Sequence, residues 1–172
     1  MVSRSQIFGH AAVAACLVGA GLSPVAAQRS LIDFGDDTGI YARDGDCDDM
    51  RFVGRGVSSA LLVDNIGRDA TDCRAALRKG TVSLNPLFIR PDSTAEIIFG
   101  DDASDYARDG DCDDVRFVGA RSAETIYLDE DVGHDASDCR AGVNAGTLRW
   151  QGDLVNPVRG LSSSELGWAD QF

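Results

Sequence analysis

The chain of 172 residues carries 28 acidic and 16 basic side chains, so its formal net charge is −12 and its sequence pI is near 4.4. This excess of negative charge argues against sequence-independent binding to nucleic acid, which depends on Lys and Arg meeting phosphates, and against attraction to an anionic membrane surface. With 44% hydrophobic residues, the chain can bury a core, and wholesale disorder is not expected.

The first 27 residues have the three parts of a secretory signal. Arg4 supplies a positive start, residues 11–22 form an apolar run, and residues 25–27 (VAA) offer small side chains before a cut at Gln28. The residues before Cys16 resemble a lipoprotein box, but they lie midway through the apolar run, so we favour cleavage after Ala27. No stretch is long and apolar enough for a transmembrane segment. We therefore expect a periplasmic or secreted protein.

The remainder of the chain contains two copies of one repeat unit. Residues 34–54 and 99–119 are identical at 17 of 21 positions, and residues 64–84 and 130–150 at 9 of 21. The expected organisation is a signal peptide (1–27), a first repeat unit with its linker (28–90), a second repeat unit (91–150) and a C-terminal tail (151–172).

Four cysteines remain after removal of the signal, two in each unit. An even number in an oxidising compartment points to disulfides, and the economical pairing lies within a unit: Cys47 with Cys73, and Cys112 with Cys139. Each bridge would close a loop of about 27 residues and stabilise the fold by roughly 3–4 kcal/mol. A unit of about 55 residues has a marginal core and usually needs such a bridge.

Each unit reads as a small α+β structure made of short strands, an Asp-rich loop and one short helix. In the first unit, residues 31–34 are predicted to form a short strand, and the Asp/Gly-rich stretch after them must loop. Asp69 is the predicted helix N-cap, and the helix should run through Arg78 and stop at Gly80, followed by a strand at residues 81–84.

The second unit repeats this pattern. Residues 96–99 and 147–150 are its predicted strands, and its helix should begin after Asp135 and end before Gly146. Aromatic residues recur at matching positions and fit a small core in each unit. These residues are Phe34, Tyr41 and Phe52 in the first unit and Phe99, Tyr106 and Phe117 in the second.

The Asp-rich loops are the strongest candidates for a binding site. Four carboxylates lie within six positions in each loop, at residues 44–49 (DGDCDD) and 109–114 (DGDCDD). Their negative charges repel one another, so each loop requires a positive partner. Ca²⁺ binds six to eight oxygens from short carboxylates, carbonyls and water. The use of 24 Asp against 4 Glu fits that chemistry, because the Asp carboxylate stays near the backbone.

The order D-G-x-C-D, followed about 22 residues later by D-x-x-D-C, resembles the Notch-type extracellular calcium-binding repeat. That resemblance implies metal oxygens from the Asp pair before the last Cys, although the Notch-type unit has three disulfides and this unit can form one. The whole unit is also similar to a repeat in exported proteins of Gram-negative bacteria, a likeness that implies no established activity. The predicted metal ligands are Asp44, Asp46, Asp48, Asp49, Asp69 and Asp72 in the first unit, and Asp109, Asp111, Asp113, Asp114, Asp135 and Asp138 in the second.

Two readings without metal stay open. The pairs before the last Cys could cap a helix and face its positive end, and arginines at matching places could neutralise the loops. The acidic loops could also form a solvated face. The arginines in question are Arg43, Arg51, Arg74, Arg108, Arg116 and Arg140.

The units differ in charge. Residues 34–84 hold 9 acidic and 7 basic side chains, a net −2, whereas residues 99–150 hold 13 and 5, a net −8. If both loops bind calcium, the second should bind it more tightly.

Catalysis is not the expected function. After export the chain retains a single histidine, His134, which replaces Arg68 of the first unit, and a residue that exchanges with Arg is typical of a surface. No nucleophile, zinc or phosphate-loop motif is present, and a small carboxylate-based hydrolase is the remaining enzymatic alternative. We expect a binding or scaffold module whose loops hold structural Ca²⁺ and whose partner is a protein or another component of the cell envelope.

Overall fold

The computed structural model describes residues 31–124 and 129–167 of the chain. The predicted signal peptide, with Cys16, and the last five residues of the predicted tail lie outside the described residues. In the described ranges, no helix has both the length and the apolar character needed to cross a membrane.

Each unit contains one α-helix that lies, in the chain, between the two strands of a short antiparallel pair. In the first unit Phe52 is paired with Leu84, and in the second Phe117 is paired with Trp150. Together with one disulfide in each half, this confirms the small α+β class with two similar halves. In chain order the elements are β1 (Phe52–Val53), α1 (Ala70–Lys79), β2 (Ser83–Leu84), β3 (Phe117–Gly119), α2 (Ala136–Asn144) and β4 (Leu148–Trp150), with 3-10 turns at Val63–Asn65, Pro86–Phe88, Thr94–Glu96 and Gly152–Leu154.

The ends of α1 follow the sequence signals closely. The helix begins directly after Asp69 and ends at Gly80, whose φ of 69° is left-handed and whose N–H binds the carbonyls of Ala76 and Leu77. Glycine adopts that conformation without the steric cost that a Cβ brings.

The two predicted N-terminal strands are wrong. Residues 31–34 form no strand, and Glu96 belongs to a 3-10 turn. Gly35 instead passes so close to Gly67 that a Cβ on Gly35 would lie 1.8 Å from the Gly67 carbonyl oxygen. The apolar residues of this segment therefore pack into the core individually and do not form a ladder of hydrogen bonds.

Stacked phenylalanines form the centre of each core. The Phe34 and Phe52 rings lie 5.5 Å apart, as do the Phe99 and Phe117 rings, and all four side chains are buried beside the disulfide of their unit. Aromatic pairs at this separation add to the free energy of burial.

The prediction that the recurring tyrosines are core residues is wrong. Tyr41 is 45% exposed and Tyr106 is 57% exposed. Each precedes an arginine in the left-handed region, Arg43 (φ 69°) or Arg108 (φ 70°), in a loop that turns its side chains outward.

The C-terminal tail completes the core of the first unit. Val158 and Leu166 are buried in the cluster that contains Phe34 and Phe52. The Asp33 N–H also donates to the Pro157 carbonyl at 2.6 Å. The described part of the tail is thus integral to the fold.

A further apolar cluster joins the two units. Met50 and Val115, which occupy equivalent positions, are buried in it with Phe88 of the linker. Beside it, the Asn85 side chain donates to the Met50 carbonyl (3.1 Å), and the equivalent Gln151 side chain donates to the Val115 carbonyl (2.9 Å). The units therefore meet through corresponding surfaces.

The predicted disulfides, Cys47–Cys73 and Cys112–Cys139, are both confirmed. Each connects an Asp-rich loop to the first turn of the following helix, so the bridge holds the two segments that carry most of the unit's carboxylates.

Each unit also buries one ion pair. The Asp114 carboxylate accepts two hydrogen bonds from the Arg116 Nε (both 2.9 Å) and one from the Gly133 N–H (2.8 Å). The Arg116 Nη1 donates to the carbonyls of Leu87 (3.2 Å) and Ile98 (2.8 Å). Asp49 and Arg51 form the same pair in the first unit. Multiple hydrogen bonds offset the cost of removing both charges from water.

We expect Arg116→Met to lower the free energy of unfolding by about 3–5 kcal/mol, because it leaves the Asp114 carboxylate buried without its cation. Arg121→Met is the matched control: Arg121 is 55% exposed and lies 3.8 Å from Asp111, so its loss should cost less than about 1 kcal/mol. Urea denaturation of the oxidised proteins measures both. Equal effects would show that the buried pair has no special role in stability.

Candidate metal site in the Asp-rich loops

Two carboxylates at the start of each helix hold the Asp-rich loop. In the first unit, Asp72 accepts from the Gly45 N–H and Asp69 accepts from the Asp48 N–H, both at 2.8 Å. In the second unit the same bonds join Asp138 to Gly110 (2.9 Å) and Asp135 to Asp113 (2.8 Å). The loop and the D-x-x-D pair therefore come together in both units.

The N-terminus of each helix is capped by a carboxylate from a distant part of the chain. Asp69 occupies the N-cap position of α1, but its side chain makes no capping hydrogen bond. Asp37 caps the helix instead: its carboxylate accepts from the Thr71 N–H and the Thr71 hydroxyl, both at 2.7 Å, and the hydroxyl bond lowers the pKa of Asp37. Arg43 pairs with Asp37 at 3.0 Å.

The second unit repeats the arrangement, with Asp102 bound to the Ser137 N–H and hydroxyl and paired with Arg108. Sequence reasoning missed this role of Asp37 and Asp102, although the F-G-D-D motif in both units carries the signal. The consequence is that Asp69 and Asp135 are released from capping and turn towards the loop.

Two carboxylates per unit are buried with part of their hydrogen-bonding capacity unused. The exposed fractions are 2% for Asp48, 1% for Asp69, 9% for Asp113 and 1% for Asp135. One carboxylate oxygen of each of these four residues has no hydrogen-bond partner among the described residues. No other buried side-chain oxygen of the described residues lacks a partner. A buried polar atom without a partner costs about 1–3 kcal/mol, and more if it is charged.

The surroundings of these oxygens also affect the pKa of their carboxyl groups. Burial raises the pKa of Asp69, Asp113 and Asp135 from 3.8 to about 6, and it also raises the pKa of Asp48. The negative charges of neighbouring loop carboxylates add to the effect.

The remaining predicted ligands divide into three groups. Asp49 and Asp114 are bound by Arg51 and Arg116, so their oxygens already have partners. The carboxylates of Asp72 and Asp138 are half-buried and each bind one loop N–H, as described above. At the loop surface lie Asp44, Asp46, Asp109 and Asp111.

Arginine neutralises only part of the acidic cluster. Arg74 lies over the Phe34 ring (4.9 Å from its centroid) and Arg140 over the Phe99 ring (5.1 Å). Among the described residues no ion pair within 4.0 Å reaches the remaining carboxylates of the first loop and helix start, namely Asp44, Asp46, Asp48, Asp69 and Asp72.

The atoms that could bind a metal ion lie only partly within reach of one another. Among the described residues, the groups of three His, Cys, Asp or Glu ligand atoms within 4.8 Å of one another are Cys47–Asp69–Cys73 and Cys112–Asp135–Cys139. The sulfurs in each group form a disulfide and are not the thiolates that bind metals, which leaves one carboxylate oxygen per group. A cation bound here would have to draw the exposed loop carboxylates inwards, with carbonyls and water completing its shell.

His134, predicted from the sequence to lie at the surface, pairs with Asp101 and is partly exposed. The hydrogen bond from His134 lowers the pKa of Asp101. This pair does not involve the buried carboxylates of the loop.

The chain matches no protein-family model, no curated protein and no solved structure. What the Asp-rich loops do is therefore argued from their geometry alone.

The metal-free protein should become more stable as the pH falls from 7 to 5. Because Asp69, Asp113 and Asp135 have a pKa of about 6 when folded, against 3.8 when unfolded, the folded state binds more protons between about pH 4 and 6. The resulting stability is fully present below about pH 4 and is lost as the pH rises through 6.

Urea denaturation in EDTA at pH 7 and pH 5 measures this effect. In the variant Asp48→Asn/Asp69→Asn/Asp113→Asn/Asp135→Asn the rise at pH 5 should largely disappear, since the amides do not titrate. A wild-type midpoint that is lower at pH 5 than at pH 7 would contradict the prediction.

Proposed function

We propose that this chain is an exported, non-enzymatic binding module in which each Asp-rich loop holds a structural Ca²⁺ ion. One observation carries the proposal: Asp48 and Asp69, and equally Asp113 and Asp135, are buried with oxygens that have no partner among the described residues. A cation with six to eight oxygen ligands would satisfy these atoms and offset the repulsion that raises their pKa.

The oxygen donors of the loops suit a hard cation better than a transition metal. The free donors are carboxylate oxygens on short side chains. Oxygen-rich sites of this kind favour Ca²⁺ over metals that prefer nitrogen or sulfur ligands. The ligands we propose for the two ions are Asp44, Asp46, Asp48, Asp69 and Asp72, and Asp109, Asp111, Asp113, Asp135 and Asp138.

Export is supported by the signal-like residues 1–27 and by the two disulfides, which persist in oxidising compartments. The partner would be a protein or another envelope component. A module whose two units share one apolar cluster suits a binding role, since it presents two similar loops on one molecule.

A metal-independent module is the alternative, and the buried Asp49–Arg51 and Asp114–Arg116 pairs favour it. Those pairs account for two of the predicted ligands. They leave the buried oxygens of Asp48 and Asp69 without a positive partner, which is why we prefer calcium.

Calcium should raise the melting temperature of the oxidised protein. For a Kd of about 0.1 mM, about 1 mM Ca²⁺ adds roughly 1.4 kcal/mol per site, so two sites should raise Tm by about 5–10 °C relative to EDTA. The same concentration of Mg²⁺ should have a much smaller effect, because Mg²⁺ demands a tighter octahedral shell.

The variant Asp48→Asn/Asp69→Asn/Asp113→Asn/Asp135→Asn should fold without losing stability in EDTA, because it removes buried charge, but should not respond to Ca²⁺. The exposed residues Asp64 and Asp105 provide a matched control, Asp64→Asn/Asp105→Asn, that should respond as the wild type does. Identical wild-type melts with Ca²⁺ and EDTA would reject the calcium proposal in favour of the metal-independent module.

The second unit should bind Ca²⁺ more tightly than the first. Its net charge is −8, against −2 for the first unit. In the first unit the Ser58 hydroxyl partly offsets the burial that raises the pKa of Asp48. The second unit has Ala123 at that place, so Asp113 lacks this hydroxyl and has more need of a cation. Arg121 lies 3.8 Å from Asp111 and opposes the trend, but it is largely exposed and screened.

Calorimetric titration of single-site variants measures the order of affinity. Asp113→Asn/Asp135→Asn should remove the tighter phase of binding, and Asp48→Asn/Asp69→Asn the weaker phase. The reverse order would show that Arg121, rather than the net charge of the unit, sets the affinity of the second loop.

A further inference from the structure

A cleft of about 600 Å³ lies outside the Asp-rich loops, between the linker and the second unit. Its walls are mainly apolar and include Leu87, Ile97, Ile98 and Trp150. A neighbouring cavity of about 380 Å³ shares Ile97 and Trp150 with it. Clefts of this size with mostly apolar walls and a few polar groups are typical of small-molecule sites.

Hydrogen bonds hold two walls of the cleft. The buried Arg116 guanidinium donates to the carbonyl of Leu87, in the linker, and to the carbonyl of Ile98, near the start of the second unit. Because Asp114 fixes Arg116 in turn, these walls are held in place by the core of the second unit.

The tail closes the far side. Asp92 accepts hydrogen bonds from the Ser163 hydroxyl (2.9 Å), the Ser164 N–H (3.0 Å) and the Ser164 hydroxyl (2.6 Å). Arg90 adds an ion pair with Glu165 at 2.9 Å. The cleft is thus formed before any ligand arrives, which lowers the cost of binding.

The cleft is a feature of one unit and not of the repeat. In the first unit, the side-chain hydrogen bonds of Arg51 go to Asp49, and Leu84, buried in the core, stands where the second unit has Trp150. Trp150 is only partly buried and lines the cleft. The two units therefore differ at positions that form the cleft.

Charge restricts what the cleft accepts. Asp92 and Glu96 line its rim, and both are exposed. Among the described residues that line the cleft, Arg116 is the single cation, and it is already matched by Asp114. An anion would therefore meet two carboxylates and no free positive charge.

We propose that this cleft binds a small apolar molecule, aromatic or aliphatic in its body, whose polar end is neutral or cationic. The apolar body would contact Ile97, Ile98 and Trp150, and the polar end would lie at the rim beside Glu96. The proposal does not depend on calcium, since the cleft shares no residue with the Asp-rich loops.

The test uses the oxidised full chain after export and the neutral probe N-phenyl-1-naphthylamine, whose fluorescence rises in apolar surroundings. We expect saturable binding of one probe per chain, in EDTA and in Ca²⁺ alike. The anionic analogue 1-anilinonaphthalene-8-sulfonate should bind at least about tenfold more weakly, equivalent to about 1.4 kcal/mol.

Ile98→Asp should weaken probe binding at least about tenfold, because it places a charge in the apolar wall. Ile98 is 46% exposed, so the variant should fold, and urea denaturation checks that it does. Leu154→Asp adds the same charge at a residue that is 74% exposed and does not line the cleft, so its affinity should stay within about twofold of the wild type.

Trp150→Leu installs the residue of the first unit and should also weaken binding. Absence of saturable binding to the wild type, equal affinity in Ile98→Asp, or tighter binding of the anionic analogue would each overturn the proposal.

Discussion

In each unit the carboxylates at the start of the helix bind the backbone of the Asp-rich loop, and the rest of the unit is arranged around that attachment. The Asp69 carboxylate accepts from the Asp48 N–H, the Asp72 carboxylate accepts from the Gly45 N–H, and the Cys47–Cys73 bridge lies between them. Three connections within a few residues leave the loop little freedom. They also force like charges together, because the acceptors are themselves acidic and lie beside the acidic side chains of the loop.

The aspartates of each unit have several different roles, and the role of each depends on its position in the fold. Asp37 caps the helix of its unit, Asp49 is neutralised by a buried guanidinium, and Asp69 holds the loop while keeping one oxygen without a partner. The first two uses stabilise the fold whatever the solution contains. The third is favourable only if a cation, or a proton, takes the remaining oxygen, because a buried carboxylate is otherwise costly.

The sequence predicted those features that depend on local pattern. The duplication, the pairing of Cys47 with Cys73 and the helix between Asp69 and Gly80 follow from identities and end signals, which neighbouring residues determine. It did not predict which carboxylate caps the helix, because Asp37 reaches Thr71 across 34 residues of chain. The apolar residues 31–34 were interpreted as a strand since their pattern reports burial, and burial alone does not distinguish a strand from an extended segment.

The surface between the units has a consequence for how the molecule could change. Met50 and Val115 occupy equivalent positions and are buried in one cluster, and the amides of Asn85 and Gln151 bind equivalent carbonyls. The two units therefore contribute equivalent residues to one shared cluster, and the linker joins them covalently. Tethering keeps the two halves at a high effective concentration, so their shared surface can tolerate unequal substitutions that would weaken an association between free subunits. One unit can then carry a feature that the other lacks, as the cleft beside Trp150 illustrates.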